Sequence, residues 1–313
     1  MGPSHLRSPG SRTRVVIHRL PKKFNIYGFC IYHYWFEGHQ LLEKPAELLL
    51  KSKEIDINYC FSWANHSWTN SLSRLESKTL IQQTYGDKED WIRHIEYLSQ
   101  FFKDERYIKV HNKPILVIYD LKAIKNFQDM KKVFNDYVRT LGFDGIYFIS
   151  TLKEENDCKP ELSHMVDAQF EYQPRFALGK TNKINYSFFY NYRRFIDKTF
   201  LNRVCKISYD RVWNLIFKRT PNDYKTFLGA YFDWDTTARW SNKGEVHIGQ
   251  SCDKFRKYFD RQVKRSIELN NEFLFFTAWN EWSEGAYIEP DTKNRYSALE
   301  IIKEILNKNE KSN

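Results

Sequence analysis

Apolar and polar residues alternate along this chain in two rhythms. Short runs rich in β-branched and aromatic residues occur at Ile26–Phe36, Ile57–Asn65, Pro114–Asp120, Gly145–Thr151, Asp167–Pro174, Phe227–Thr237 and Leu274–Trp282, and these have the composition of β-strands. Between most of them the period is helical. In Asp87–Lys103, Trp91, Ile95, Leu98 and Phe102 recur every three or four residues behind Asp87, a suitable N-cap. Leu41–Ile55 and Asp129–Leu141 repeat the pattern, the latter followed by Gly142 where a C′ glycine belongs. Strand and helix in alternation predict a parallel sheet, and strands this uniformly apolar predict one covered on both faces. Seven strands suit a closed barrel short of one member or an open doubly wound sheet. Neither GxGxxG nor GxxxxGK[ST] follows an early strand, so the nucleotide-binding open sheets lose their marker.

Two segments break the rhythm. Residues 1–13 are Gly-, Pro-, Ser- and Arg-rich and read as a leader without structure of its own; 1–23 as a whole stands outside the barrel pattern. Arg175–Lys225 is too long for a simple connection and reads as a partly helical insertion walling a cleft. The leader lacks the apolar core of a secretory signal, and no run approaches 18 apolar residues, so the expected location is the cytoplasm.

Charge and cysteine content exclude more than they assign. The net charge of +10 comes from 49 basic and 39 acidic residues, but the lysines are scattered and form no base-reading motif, so no nucleic-acid partner is expected. Five cysteines without a CxxC pair make neither a disulfide framework nor a zinc site. No GxSxG elbow is present. Asp233-Trp234-Asp235 has the form of a metal-holding DxD, but so short a pattern recurs by chance, and neither a metal nor another cofactor is expected.

Position gives the aromatic residues a meaning that their share of 17% alone does not. In a barrel the active site lies at the C-terminal ends of the strands. Tyr32, His33, Tyr34 and Trp35 close the first strand; Trp63, Asn65, His66 and Trp68 follow the second; Tyr119 and Asp120 the third; Glu171 and Tyr172 the fifth. Trp234, Asp235 and Arg239 end the sixth, and Trp279, Asn280, Glu281, Trp282 and Glu284 the last. Aromatic rings there would stack on sugar faces, while Asn65, Glu171, Asp235, Arg239 and Asn280 would hydrogen-bond hydroxyls. Among the histidines, His33 is the one whose strand end places it in the cleft.

The sharpest signal is Phe276–Pro290, FTAWNEWSEGAYIEP, where Glu281 and Glu284 stand three apart as an apolar strand enters a Gly-containing turn. On a continuing strand they would face opposite ways. If the chain turns after Trp282 both can point into one cleft, where mutual repulsion would push their pKa values apart. That division suits glycoside chemistry, which needs one protonated carboxyl and one ionised partner.

WNEWSEGAYIEP, with YGFCIYHYWFEG at Tyr27–Gly38, CFSWANHSW at Cys60–Trp68 and FLGAYFDWDTTAR at Phe227–Arg239, resembles the WbsX-type proteins. These are described as glycosyltransferases of polysaccharide and lipopolysaccharide loci and carry a domain similar to glycoside hydrolase family 99. The resemblance spans Phe24–Leu306, leaving 307–313 as a tail. It implies an α/β fold of the (β/α)8 TIM-like barrel type. It also implies a glycan or glycosyl donor and acceptor as partners, with peripheral contact to a membrane-bound glycolipid suiting that role. It further implies that Glu281 assists a sugar 2-hydroxyl attacking the anomeric carbon, and that Glu284 is acid and then base at the glycosidic oxygen. The family has a further strand–helix unit before YGFC, so this chain is expected to lack its first β/α unit. His66 stands where the family has Glu, Thr236 where it has Asn, and Trp240 where Arg is common. A retaining endo-acting α-glycoside hydrolase and a non-catalytic glycan-binding remnant are the alternative readings; sugar, linkage, acceptor and oligomeric state are left open.

Overall fold

All seven apolar runs form strands, and they stand side by side in chain order. The computed structural model describes residues 20–69, 78–179, 192, 195–197, 200–201, 203–219 and 224–310. Strands β1 (Gly28–Phe36), β2 (Asn58–Trp63), β3 (Lys113–Ile118), β4 (Tyr147–Leu152), β5 (Ala168–Glu171) and β6 (Thr226–Phe227) pair successively, each parallel to its neighbour. After Leu228 the chain continues as β7 (Gly229–Tyr231), which pairs in parallel with β8 (Phe275–Thr277). The fold is therefore mixed α/β with a parallel central sheet.

Helices α1 (Lys44–Lys51), α2 (Lys88–Phe102), α3 (Phe127–Thr140), α4 (Tyr209–Lys218), α5 (Cys252–Glu268) and α6 (Ser297–Glu310) cover it. The Asp87 side chain accepts the backbone N–H of Asp90, as the sequence predicts. Gly142 takes φ +90° just past α3, a conformation glycine adopts without steric cost. Much of the expected insertion, including 180–191 and 220–223, lies outside the described residues, as do residues 1–19 of the leader. The described part of the insertion contains α4 and the strand Cys205–Ser208, which pairs in parallel with Glu245–Ile248.

Most of the aromatic excess goes into the core. Phe61, Phe101, Phe102, Tyr107 and Phe134 are buried where β2 meets α2 and α3, and Tyr209, Trp213, Tyr231, Phe255 and Phe259 fill the other half between β7, α4 and α5. Each such ring contributes on the order of 2–3 kcal/mol by burial. Tyr107 shows how a polar ring is accommodated: its hydroxyl accepts Phe61 N–H at 3.1 Å and donates to Ile115 O at 2.8 Å, tying β2 to β3.

The two ends of the strand succession meet differently. Among the described residues no backbone hydrogen bond joins β1 to β8, so a hydrogen-bonded closure of the barrel is absent there. Rings bridge the gap instead: Tyr27 faces Phe273 at 6.2 Å, and Phe29 meets Trp279 edge-on at 5.3 Å.

Candidate active site

The pleat of β1 divides the run Tyr32–Trp35 in two. Tyr32 and Tyr34 face one side, where Tyr32 meets Tyr119 at 6.1 Å and Tyr34 meets Trp68 edge-on at 5.2 Å. Tyr119 in turn meets Tyr172 at 6.1 Å. Tyr32 is 41% solvent-accessible. Yet the protein around it is dense enough that desolvation, then the neighbouring Tyr172 and Tyr119, push its hydroxyl pKa upward. An accessible side chain in so dense a surround forms the floor of a recess.

Glu281 and Glu284 border this recess. Glu281 ends a short strand, Asn280–Glu281, paired antiparallel with Ala286–Tyr287. Between the two, Trp282–Glu284 makes a 3₁₀ turn that Gly285 closes at φ +60°. A Cβ on Gly285 would lie 2.8 Å from Asp235 N, so both the dihedral and the close approach require glycine. Asp235 N–H donates to Glu284 O at 2.8 Å, pinning the turn to the segment after β7. Ser283 Oγ donates to Glu281 Oε1.

The turn thus does what the spacing alone leaves open. Desolvation first, and the charge of Glu281 second, raise the Glu284 pKa, with Arg239 and Arg175 opposing. Glu281 also raises the Tyr34 pKa, after burial, and both glutamates act on Tyr172. Arg239 Nη1 donates to Glu284 Oε1 at 2.8 Å. A carboxyl that holds its proton more tightly suits donation to a leaving oxygen, with a second carboxyl alongside to accept a proton.

A basic wall stands opposite. Lys153 Nζ lies 4.3 Å from the Tyr119 ring centroid and 3.6 Å from Asp120 Oδ2. The His66 ring lies 5.3 Å from Tyr119, and its pKa is lowered by desolvation and then by Lys153. Arg175, just beyond β5, acts electrostatically on Tyr119, Lys153 and Glu284.

Several candidates read from the sequence lie elsewhere. His33, Trp35 and Trp63 turn outward beneath α2. His33 is 6% exposed with Nε2 2.9 Å from His94 Nε2, and burial lowers its pKa to about 3. Trp35 stacks on His94 at 4.5 Å and donates to Asp90, and Trp63 meets His94 edge-on at 4.8 Å. Asn65 is 1% exposed and spends its amide on Asp120, donating to its O and accepting its N–H, each at 2.8 Å. Glu171 is also 1% exposed, accepts from Gln173 Nε2 at 3.0 Å and from Gly229 N–H, and has its pKa raised by burial. A Cβ on Gly229 would sit 1.9 Å from the backbone oxygen of Glu171, so the two chains approach closely there only because residue 229 is glycine.

The remaining candidates sit around the turn. Asp235 Oδ1 accepts Thr237 N–H and Oγ1–H at 2.8 and 2.6 Å and so caps a turn. Asn280 is exposed opposite Tyr287 on the hairpin. Trp282 is exposed, stacks on Tyr287 at 3.8 Å and donates to Glu289. Beside it lies a cavity of about 270 Å³ lined by Phe232, Asp233, Asp235, Trp282, Tyr287 and Lys293. Trp279 is half-buried against Phe29. Asp233 Oδ1 accepts its neighbour's N–H, and among the described residues no cluster of three or more His, Cys, Asp or Glu is placed to hold a metal ion.

The recess therefore gathers Tyr32, Tyr34, Tyr119, Arg239, Glu281 and Glu284, with Trp68 against Tyr34. The sequence noted Tyr172 and His66 at strand ends without assigning them, and it missed Lys153 and Arg175. The signal for Tyr172 is its period-two relation to Phe170 on β5.

The profile described as "Glycosyltransferase WbsX" matches residues 6–302, nearly the whole chain. The chain belongs to this glycosyltransferase family. Its match begins ahead of Phe24, where the motif resemblance starts. The uncharacterized protein WxcX of Xanthomonas campestris pv. campestris is 24% identical over 291 residues, covering 92% of this chain and 40% of WxcX. The chain thus spans about two fifths of the length of the curated relatives it matches. Among solved structures, a glycoside hydrolase-like protein superposes with a TM-score of 0.58 at 12% identity, covering 95% of this chain and 86% of that one. The family 99 endo-α-mannosidase of Bacteroides thetaiotaomicron superposes with a TM-score of 0.56 at 18% identity, covering 96% and 80%. These likenesses are of fold. The family itself is one of carbohydrate-active proteins. No described helix is long and apolar enough to cross a membrane.

Proposed function

We propose that this chain transfers a glycosyl unit in surface-polysaccharide or lipopolysaccharide biosynthesis, in the cytoplasm, through Glu281 and Glu284 on a (β/α)8-type barrel. The observation that carries the reading is the glycine-closed turn that sets Glu281 and Glu284 together at the rim of a tyrosine-lined recess, where burial and the adjacent Glu281 raise the Glu284 pKa. In the first half-reaction Glu281 takes the proton of the sugar 2-hydroxyl as its oxygen bonds to the anomeric carbon. The bond from that carbon to the glycosidic oxygen breaks, and Glu284 protonates the departing oxygen. In the second, Glu284 takes the acceptor's proton as the acceptor oxygen bonds to the anomeric carbon, the bond from that carbon to the 2-oxygen breaks, and Glu281 returns its proton to the 2-oxygen. Tyr32, Tyr34, Tyr119 and Tyr172 supply the ring faces and hydroxyls that hold the sugar.

Water as acceptor would make the same machinery a retaining α-glycoside hydrolase, and the fold likeness to an endo-α-mannosidase favours keeping that second reading. Glu281→Gln and Glu284→Gln should each lower turnover about 10²–10⁴-fold, as loss of general acid–base catalysis does, with near-UV circular dichroism unchanged. Full activity in both variants refutes the assignment, and a purely glycan-binding protein would keep its sugar affinity in both with no turnover in either form.

A further inference from the structure

Two carboxylates and an aromatic floor suffice for the proposed glycosyl chemistry, but they leave the basic wall unexplained. Lys153 is only 12% accessible at its side chain, so its ammonium is held in the wall above Tyr119 rather than extended into water. Asp157, the next carboxylate along, is engaged by Lys122 at 2.9 Å and by two backbone N–H groups. Arg175 is exposed and makes no side-chain hydrogen bond or ion pair with another described residue, though it stands close enough to Tyr119 and Lys153 to act on both. Arg239 completes the set from the far side of Glu284.

The charge balance of the recess changes with the reaction. Lys153, Arg175 and Arg239 face Asp120, Glu281 and Glu284. Once Glu284 holds the proton that leaving-group protonation requires, three cations face two carboxylates, and Arg239 has lost its charged partner. A cationic surplus beside tyrosine hydroxyls, in a recess partly shielded from water, favours an anionic oxygen group over a neutral hydroxyl.

We propose, resting on the glycosyl reading above, that Lys153, Arg175 and Arg239 form a subsite for an oxyanion carried by the sugar substrate. A phosphate of a glycosyl phosphate or diphosphate and the carboxylate of an acidic sugar share this chemistry. Arg175, whose planar fork engages no other described residue, provides the bidentate contact, and Lys153 the point charge.

Isothermal titration of the full chain with inorganic pyrophosphate and, separately, with free glucuronate tests this at low salt. The expected result is binding of at least one anion that Arg175→Gln and Lys153→Gln each weaken about tenfold, and that added salt weakens further. Pyrophosphate binding points to a phosphorylated donor, glucuronate binding to an acidic glycan. Glu284→Gln, which mimics the protonated carboxyl, should bind the anion at least as tightly as the native chain. Absence of binding by either anion, or binding that both variants leave unchanged, overturns the subsite. Because the readout needs no turnover, an anion site with fully active glutamate variants would sink the glycosyl reading alone. Inactive glutamate variants without anion binding would sink the subsite alone.

Discussion

Arg239 and Glu284 are joined at 2.8 Å, and this contact opposes the two influences, burial and Glu281, that raise the Glu284 pKa. Arg239→Met removes this part of the opposition and leaves that of Arg175, so Glu284 should keep its proton to higher pH. The basic limb of the pH–rate profile, where the acid form is lost, should move upward. A limb that stays in place or moves down would mean that Glu284 is not the group titrating there.

Asn65 is a strut between strand ends. Its amide satisfies both backbone groups of Asp120, and its own carbonyl accepts from Tyr85. Asn65→Leu would leave Asp120 N–H and C=O buried without partners, at about 2–4 kcal/mol in urea unfolding. Asn65→Asp keeps the acceptor and loses the donor, so its loss should be intermediate. Unchanged stability in both would contradict the strut.

Arg106 anchors the end of α1. Its guanidinium donates to Leu49 O at 2.8 Å, to Ser52 O at 2.9 Å and to Ile55 O, and pairs with Asp104 at 2.7 Å. Arg106→Ala should cost about 3–5 kcal/mol, because it leaves three carbonyls without their donor and the buried Asp104 carboxylate with Lys53 as its one remaining cation among the described residues. Burial alone would raise the Asp104 pKa, but hydrogen bonds from Arg106 and Lys53 outweigh it and hold the carboxyl well below its usual range. A depressed folded-state pKa stabilises the fold above the unfolded carboxylate value of roughly 4, and that stability is lost as pH falls below it. Asp104→Asn should therefore flatten the acid side of the stability–pH curve, and a curve as steep as the native one would count against this pair.

Gly285 joins backbone geometry to chemistry. Gly285→Ala places a Cβ against Asp235 at a dihedral L-residues avoid, which should cost about 1–3 kcal/mol or displace the turn. Displacement would lower kcat more than it raises KM, since Glu284 is the residue before. Equal effects on both constants would indicate a loss of binding only.

The strands, the Asp87 cap and the Gly142 stop were legible because each is a local pattern of spacing or backbone freedom. The inward and outward members of Tyr32–Trp35 were not, because a strand's phase is set by its register against β2, where Tyr32 stands opposite Ser62 and His33 opposite Trp63. Asn65 and Glu171 look like ligands in a sequence; their partners, Asp120 and Gly229, come from strands that only folding brings near. The last turn was legible as a possibility: NEWSEG carries the glycine that bends it, but the Arg239 partner lies 45 residues away. Lys153 and Arg175 were invisible for a different reason. One lysine among many scattered ones carries no mark of standing over a tyrosine ring.

The contact between β1 and β8 makes the molecule unequal in its resistance to opening. Everywhere else along the strand succession, separation must break rungs of backbone hydrogen bonds. Along this line, among the described residues, ring contacts such as Tyr27 on Phe273 and Phe29 on Trp279 stand in their place, worth about 0.5–1.5 kcal/mol each beyond their buried area. Opening should concentrate along this seam, which runs from the strand that carries Tyr32 to Trp279, two residues before Glu281.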